Sequence, residues 1–83
     1  MRILIVEDEK KVSGFIKKGL EEETYAVDVA IDGEEGLLFG EQNQYDLIIL
    51  DLMLPKIDGL EVLSILRDRK IETPILLLTA KDS

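Results

Sequence analysis

Four polar side chains each follow a short apolar run of this sequence, and their types suit the binding of a cation. Glu7 and Asp8 follow the first run, Asp51 a later one and Thr79 the last. If these runs are parallel strands of one sheet, their carboxyl ends lie at the same edge, where open α/β sheets bind ligands. Three carboxylates at one edge repel one another, and a divalent cation is the simplest remedy. Each residue alone is typical of an ordinary solvated strand end, so the prediction depends on their combination.

The composition narrows the chemistry of such a site. The 83 residues include no cysteine and no histidine, which excludes disulfides, thiol catalysis, imidazole ligands and Ser-His-Asp catalysis within this sequence. A bound metal must then be held by oxygens, which favours Mg²⁺, Ca²⁺ or Mn²⁺. The net charge of −8 disfavours nucleic-acid binding by this segment, since phosphate backbones attract Lys and Arg.

Hydrophobic patterning predicts the elements that must position these residues. Continuous apolar runs indicate buried strands, an alternating run indicates an edge strand, and three-and-four spacing indicates helices. The predicted order is β-α-β-α-β-α-β, with strands at 2–6, 25–30, 47–50 and 75–78 and helices at 10–22, 33–42 and 60–70. Asp32 is a candidate cap of the second helix. This alternation favours an α/β doubly wound parallel sheet covered on both faces, in one small domain.

Each helix is predicted to bury an apolar face. The first helix carries one stripe, made by Val12, Phe15, Ile16 and Leu20. The third helix carries a wider face, made by Leu60, Val62, Leu63, Ile65 and Leu66. In the second helix, Leu38 and Phe39 exceed a single stripe and are expected either to be exposed or to cover a partner surface.

The sequence favours a cytoplasmic protein. No apolar run approaches the about 20 residues that a membrane-spanning helix needs, so no membrane association is expected. The first residues turn acidic at once and lack the cleavage pattern of a signal peptide.

The ordered motifs resemble the receiver domain of bacterial two-component response regulators. The resemblance covers the whole chain, 1–83, and 51–59 looks most like the OmpR/PhoB subfamily of transcriptional regulators. The segments that carry it are 3–8, 32–33, 45–55, 58–59 and 73–80. It implies a flavodoxin-like doubly wound sheet with the strand order 2-1-3-4 as far as the fourth strand.

The resemblance also implies a role for each candidate residue. Asp51 matches the phosphoacceptor, which attacks the phosphohistidine of a sensor histidine kinase. Asp8 and Asp51 match direct Mg²⁺ ligands, with Glu7 assisting through water and the backbone carbonyl of Met53 completing the site. Thr79 matches the switch hydroxyl that bonds the phosphoryl group. The implied protein is not an enzyme but a phosphoacceptor that assists its own phosphorylation and dephosphorylation.

The resemblance is incomplete at the carboxyl end. The family's fourth helix, fifth strand and fifth helix are absent from these 83 residues, and so are its phosphoryl-binding Lys and its aromatic switch residue. Lys81 is too close to Thr79 to match that Lys. We therefore expect impaired phosphotransfer and an open sheet edge that favours a homo-oligomer. DNA binding would belong to a C-terminal domain that is absent here.

Three other interpretations compete with an active receiver. A phosphohydrolase of the haloacid dehalogenase type would need a second acid two residues after the nucleophile, where this chain has Met53. A flavin- or nucleotide-binding module would need a phosphate cradle after the first strand, where Glu7, Asp8 and Glu9 would repel phosphate. The third is an inert truncated receiver fragment.

Overall fold

Short strands alternate with helices throughout the computed structural model, which describes residues 1–79. The elements are β1 (Arg2–Val6), α1 (Lys10–Glu22), β2 (Ala26–Ala30), α2 (Gly33–Gln42), β3 (Leu47–Asp51), α3 (Gly59–Asp68) and β4 (Ile75–Leu78). All strand pairs are parallel, and the order across the sheet is β2-β1-β3-β4. The predicted fold class and strand order are therefore confirmed. Ala80, the last residue of the segments that carry the resemblance, and Lys81 lie outside the described residues.

Both faces of the two central strands are covered, which explains why 3–6 and 47–50 are continuous apolar runs. On one face Leu4, Val6, Ile48 and Leu50 pack against α2 and α3. On the other face Ile3, Ile5 and Ile49 pack with Ile16 and Leu20 of α1. Burial of each such side chain contributes about 1.5–3 kcal/mol to folding. The two clusters hold β1 and β3 rigidly side by side.

The apolar stripe of α1 is narrower than the sequence predicts. Ile16 and Leu20, four residues apart, pack against the sheet, whereas Phe15 is 81% exposed. The prediction that Phe15 belongs to the buried stripe is wrong, because one helix row spaced by four residues suffices to cover β1 and β2. Leu60 at the start of α3 is likewise exposed, while Val62 and Leu66, also four apart, are buried.

Aspartates cap the N-termini of α2 and α3, the two helices that cover the same face of the sheet. The Asp32 side chain accepts a hydrogen bond from the Glu35 amide (2.8 Å), as predicted for a cap of α2. Asp58 accepts one from the Glu61 amide (2.9 Å) and makes α3 begin at Gly59, one residue earlier than predicted. Both caps lie at the carboxyl edge of the sheet. Within residues 1–79, no helix combines the length and the apolar character needed to cross a bilayer.

Candidate metal centre

Three carboxylates meet at the carboxyl edge of the two central strands. Asp51 is the last residue of β3, and Glu7 and Asp8 follow β1 directly. Because Val6 is paired in register with Leu50, the residues that follow the two strands are neighbours. One oxygen from each of Glu7, Asp8 and Asp51 lies within 4.8 Å of the others. The structure thus brings together the three acidic residues singled out from the sequence.

Two of these carboxylates are buried and the third is exposed. Glu7 is 6% exposed and Asp51 is 7% exposed, whereas Asp8 lies open to solvent. Glu7 accepts a hydrogen bond from the Glu9 amide (2.9 Å), and Asp51 accepts one from the Met53 amide (3.0 Å). These amides orient the two carboxylates but leave lone pairs available for another ligand.

The electrostatics of the cluster are unfavourable without a positive charge. Burial raises the pKa of Glu7 above its ordinary value of 4.5, and the nearby Asp51 and Asp8 carboxylates raise it further. The hydrogen bond from the Glu9 amide opposes this rise in pKa. A cation among the three carboxylates would offset both the desolvation and the repulsion.

The remaining predicted residues line the same cleft, whose volume is about 510 Å³. Met53 follows Asp51 by two residues and has a 71% exposed side chain, and Thr79 lies exposed just beyond β4. Phe15 and Leu78 form part of the apolar wall. All five predicted site residues therefore surround one space, with the acids on one side and the Thr79 hydroxyl at the end of β4.

A close main-chain contact shapes the loop at 52–58, which we call the β3–α3 loop. The Leu52 amide donates to the Leu78 carbonyl (3.0 Å), and the Gly59 amide donates to the Leu52 carbonyl (3.1 Å). A Cβ at position 59 would overlap the Asp51 carbonyl oxygen and lie 2.7 Å from the Leu52 Cα. Only glycine allows α3 to begin this close to the end of β3, so Gly59 fixes the main chain that follows Asp51.

The donor set suits a hard divalent cation. Carboxylate oxygens and a main-chain carbonyl are the ligands that Mg²⁺ prefers, and Mg²⁺ keeps several waters that a phosphate can replace. Met53 leaves no acid two residues after Asp51, so the chain lacks the second acid of a haloacid dehalogenase site. The acids after β1 also leave no phosphate cradle of the nucleotide-binding type.

Lys56 is a neighbour of the site that the sequence did not single out. Its Nζ lies 3.4 Å from an Asp32 oxygen and 3.3 Å from a Glu34 oxygen, which ties the β3–α3 loop to the start of α2. No spacing rule links a loop lysine to acids more than 20 residues earlier. The turn-forming residues at 55–59 predicted a loop here but not the partners of Lys56.

A second polar network lies away from the acidic cluster. Asp28 accepts hydrogen bonds from the Tyr45 hydroxyl (2.8 Å) and from Arg2 (2.8 Å). Burial and the hydrogen bond to Asp28 raise the pKa of Tyr45 to about 12. The hydrogen bond from Tyr45 lowers the pKa of Asp28, and Arg2 adds to that effect. This network joins β1, β2 and the segment that precedes β3.

Comparisons with known proteins point to one family. The family model described as "Response regulator receiver domain" matches residues 3–83. The transcriptional regulatory protein PcoR of Escherichia coli is 51% identical over 82 residues, which cover 99% of this chain and 36% of PcoR. The alkaline phosphatase synthesis transcriptional regulatory protein PhoP of Bacillus subtilis is 49% identical over 81 residues, covering 98% of this chain and 34% of PhoP. The chain thus spans about a third of the length of these relatives.

Solved structures agree with the sequence comparisons. The receiver domain of the Francisella response regulator 1452 superposes with a TM-score of 0.93 at 43% identity, covering 99% of this chain and 68% of that one. The response regulator protein TrrA of Thermotoga maritima, solved in complex with Mg²⁺ and BeF, gives a TM-score of 0.91 at 44% identity, with coverage of 98% and 70%.

Proposed function

The chain belongs to the response regulator receiver domain family, and from that premise we propose that it accepts a phosphoryl group on Asp51 with the help of Mg²⁺. The observation that carries the proposal is the meeting of Glu7, Asp8 and Asp51 oxygens within 4.8 Å at the carboxyl edge of the sheet. Asp51 is the central member, because it ends β3 and is held in place by the Met53 amide.

The five predicted site residues each have a part in the proposed reaction. Asp8 and Asp51 would hold Mg²⁺, Glu7 would assist through a water, and the Met53 carbonyl would complete the set. Bound Mg²⁺ supplies charge neutralisation, which lets an anionic nucleophile approach an anionic phosphoryl group. An Asp51 oxygen forms the new bond to phosphorus while the bond from phosphorus to the donor atom breaks, and the donor takes up a proton. The Thr79 hydroxyl then donates a hydrogen bond to a phosphoryl oxygen.

The phosphoryl donor and the output follow from the same proposal. The donor is the phosphohistidine of a sensor histidine kinase, and the whole protein is a cytoplasmic regulator of transcription. PcoR and PhoP are named as transcriptional regulatory proteins and are about three times as long as this chain. DNA binding is therefore proposed for residues outside these 83, in agreement with the net charge of −8 within them.

A homo-oligomer through β4 is a second part of the proposal. β4 lies at the edge of the described sheet, and Leu76 and Leu77 are 53% and 37% exposed. An apolar edge strand is a template for pairing with another chain. Sedimentation velocity over a range of concentrations should show self-association that Leu76→Lys weakens. A monomer at every concentration would rule out this contact.

A phosphoryl analogue tests the proposed function. Mg²⁺ and beryllofluoride together should raise the unfolding temperature more than either does alone, because both ligands bind only the folded state. Asp51→Asn should remove this joint effect, and Asp46→Asn, at the opposite edge of the sheet, should retain it. The same joint stabilisation in Asp51→Asn would disprove the assigned site. The absence of any joint effect in the wild type would favour the inert fragment, whereas steady release of phosphate from a small phosphoester would favour the hydrolase.

A further inference from the structure

The β3–α3 loop is anchored at both ends, and between them Leu54 and Ile57 pack against the core, so Lys56 is flanked by a core-packing apolar residue on one side only. Its first residue, Leu52, is bonded to β4 and to Gly59, and its last, Asp58, caps α3. Between these anchors the hydrogen bonds are local. The Met53 amide donates to Asp51, and the Ile57 amide donates to the Pro55 carbonyl (2.8 Å).

That second bond closes a three-residue turn whose central residue has an unfavourable backbone. Lys56 has a φ of 68°, in the left-handed region that non-glycine residues seldom adopt. A turn closed between residues i and i+2 with positive φ at its centre is rare and strained. Such a conformation persists when contacts from elsewhere in the molecule hold it.

Contacts with the start of α2 hold this turn. The Lys56 Nζ lies between Asp32 (3.4 Å) and Glu34 (3.3 Å). Asp32 is a firm anchor, because its side chain is only 15% exposed and its other oxygen caps α2. Next to it, a Cβ at Gly33 would overlap the Ile57 carbonyl oxygen and lie 2.9 Å from the Ile57 Cβ, so the two segments already touch.

We propose that Lys56 is a positioning residue for the metal centre. Its ion pairs with Asp32 and Glu34 hold the β3–α3 loop in the conformation that presents the Met53 main-chain carbonyl to Mg²⁺. This inference rests on the proposed function, because it takes the cation to be bound beside Asp51. Lys56 touches neither the cation nor the phosphoryl group and acts only through the loop.

The sign of the expected effect separates this role from simple electrostatics. Removal of a positive charge near an acidic cleft should by itself strengthen cation binding. Loosening of the β3–α3 loop should instead weaken cation binding. Since exposed ion pairs are individually weak, the net weakening should be roughly two- to five-fold in the Mg²⁺ dissociation constant.

Mg²⁺ titration calorimetry on the full chain tests the proposal. Lys56→Met should weaken binding by the stated factor, and Lys56→Arg, which keeps the charge and can reach both acids, should restore it. Lys18→Met, which removes the same charge from the exposed face of α1, should leave binding unchanged or slightly tighter. Unchanged or tighter binding by Lys56→Met would overturn the proposal.

A metal-free measurement separates this proposal from the function on which it rests. By ¹⁵N relaxation without Mg²⁺, amides 53–57 should be more mobile in Lys56→Met than in the wild type or in Lys18→Met. If amides 53–57 were equally mobile in all three proteins, the role of Lys56 would be disproved, whatever the Mg²⁺ titrations show. A third outcome is that Lys56→Met loosens the loop although the chain binds no Mg²⁺ through Asp51. That result would disprove the proposed metal function and leave Lys56 with a purely structural role in the loop.

Discussion

Glu7 carries its carboxyl group in surroundings that disfavour its charge. It is 6% exposed, and the Asp51 and Asp8 carboxylates are its neighbours. Since its pKa is raised in the folded state, protonated Glu7 contributes stability below its ordinary pKa of 4.5, and that contribution is lost as the pH rises through the folded pKa. At neutral pH the metal-free protein therefore retains an electrostatic penalty that a cation can offset.

Glu7→Gln tests this residue-scale account. Without Mg²⁺, the variant should unfold at a higher temperature than the wild type at neutral pH, and the difference should shrink in acid as wild-type Glu7 becomes protonated. The amide oxygen can still accept the hydrogen bond from the Glu9 amide. The stabilising effect of Mg²⁺ should be smaller in the variant. Differential scanning calorimetry across pH measures both effects.

The control for that prediction is Glu72→Gln, which removes the same charge from an exposed loop. It should change the unfolding temperature little at any pH. If Glu72→Gln stabilised the protein as much as Glu7→Gln did, the effect would come from the net charge of −8 rather than from the carboxylate cluster.

At the scale of elements, glycines have opposite roles in α1 and at the start of α3. None of the glycines described has a positive φ, so the difference is one of space rather than of backbone conformation. A Cβ at Gly14 or Gly19 in α1 would meet nothing within 4 Å, whereas a Cβ at Gly59 would overlap the main chain of Asp51. The same substitution should therefore stabilise one helix and disrupt the start of the other.

Gly14→Ala should raise the free energy of unfolding by about 0.5–1 kcal/mol, because alanine reduces the backbone freedom of the unfolded chain and favours the helix. Urea denaturation at constant m-value measures the change. Gly19→Ala should behave alike. A loss of stability in either variant would mean that the exposed face of α1 is in contact with something else, such as a second copy of the chain.

Gly59→Ala should lower the free energy of unfolding by about 1–3 kcal/mol, the usual cost of inserting a group into a filled space. The overlap is with main-chain atoms, which have little freedom to move, and Asp51 would shift with them. Urea denaturation of Gly59→Ala, Gly14→Ala and the wild type compares their free energies of unfolding. Wild-type stability in Gly59→Ala would contradict the close approach of α3 to β3.

At the scale of the whole molecule, alternation of elements made the fold predictable. Continuous apolar runs such as 47–50 and the alternating run at 25–30 located the four strands, and their alternation with helices predicted a parallel sheet. The strand order 2-1-3-4 came from the family resemblance. The rule that ligands bind at the carboxyl ends of strands then placed Glu7, Asp8, Asp51 and Thr79 at one edge. The assignment of Met53 required the family resemblance, because a main-chain ligand leaves no mark in residue type.

Contacts between distant segments were not predictable. Lys56 reaches acids 22 and 24 residues earlier, and Tyr45 donates to Asp28 across 17 residues. Neither pairing follows from helical or strand periodicity. The exposure of Phe15 was missed for a related reason. Periodicity indicates which side of a helix is apolar, but the width of the covered stripe depends on the sheet beneath it.

The most direct test of the central claim is the intact-protein mass after incubation with acetyl phosphate. It is measured with and without Mg²⁺, for the wild type and for Asp51→Asn. One added phosphoryl group is expected in the wild type with Mg²⁺, and none when either Mg²⁺ or Asp51 is removed. The adduct should be lost on treatment with hydroxylamine, as an acyl phosphate is. A phosphoryl group that forms without Mg²⁺ or in Asp51→Asn, or no adduct in a wild-type chain that circular dichroism shows to be folded, would contradict it.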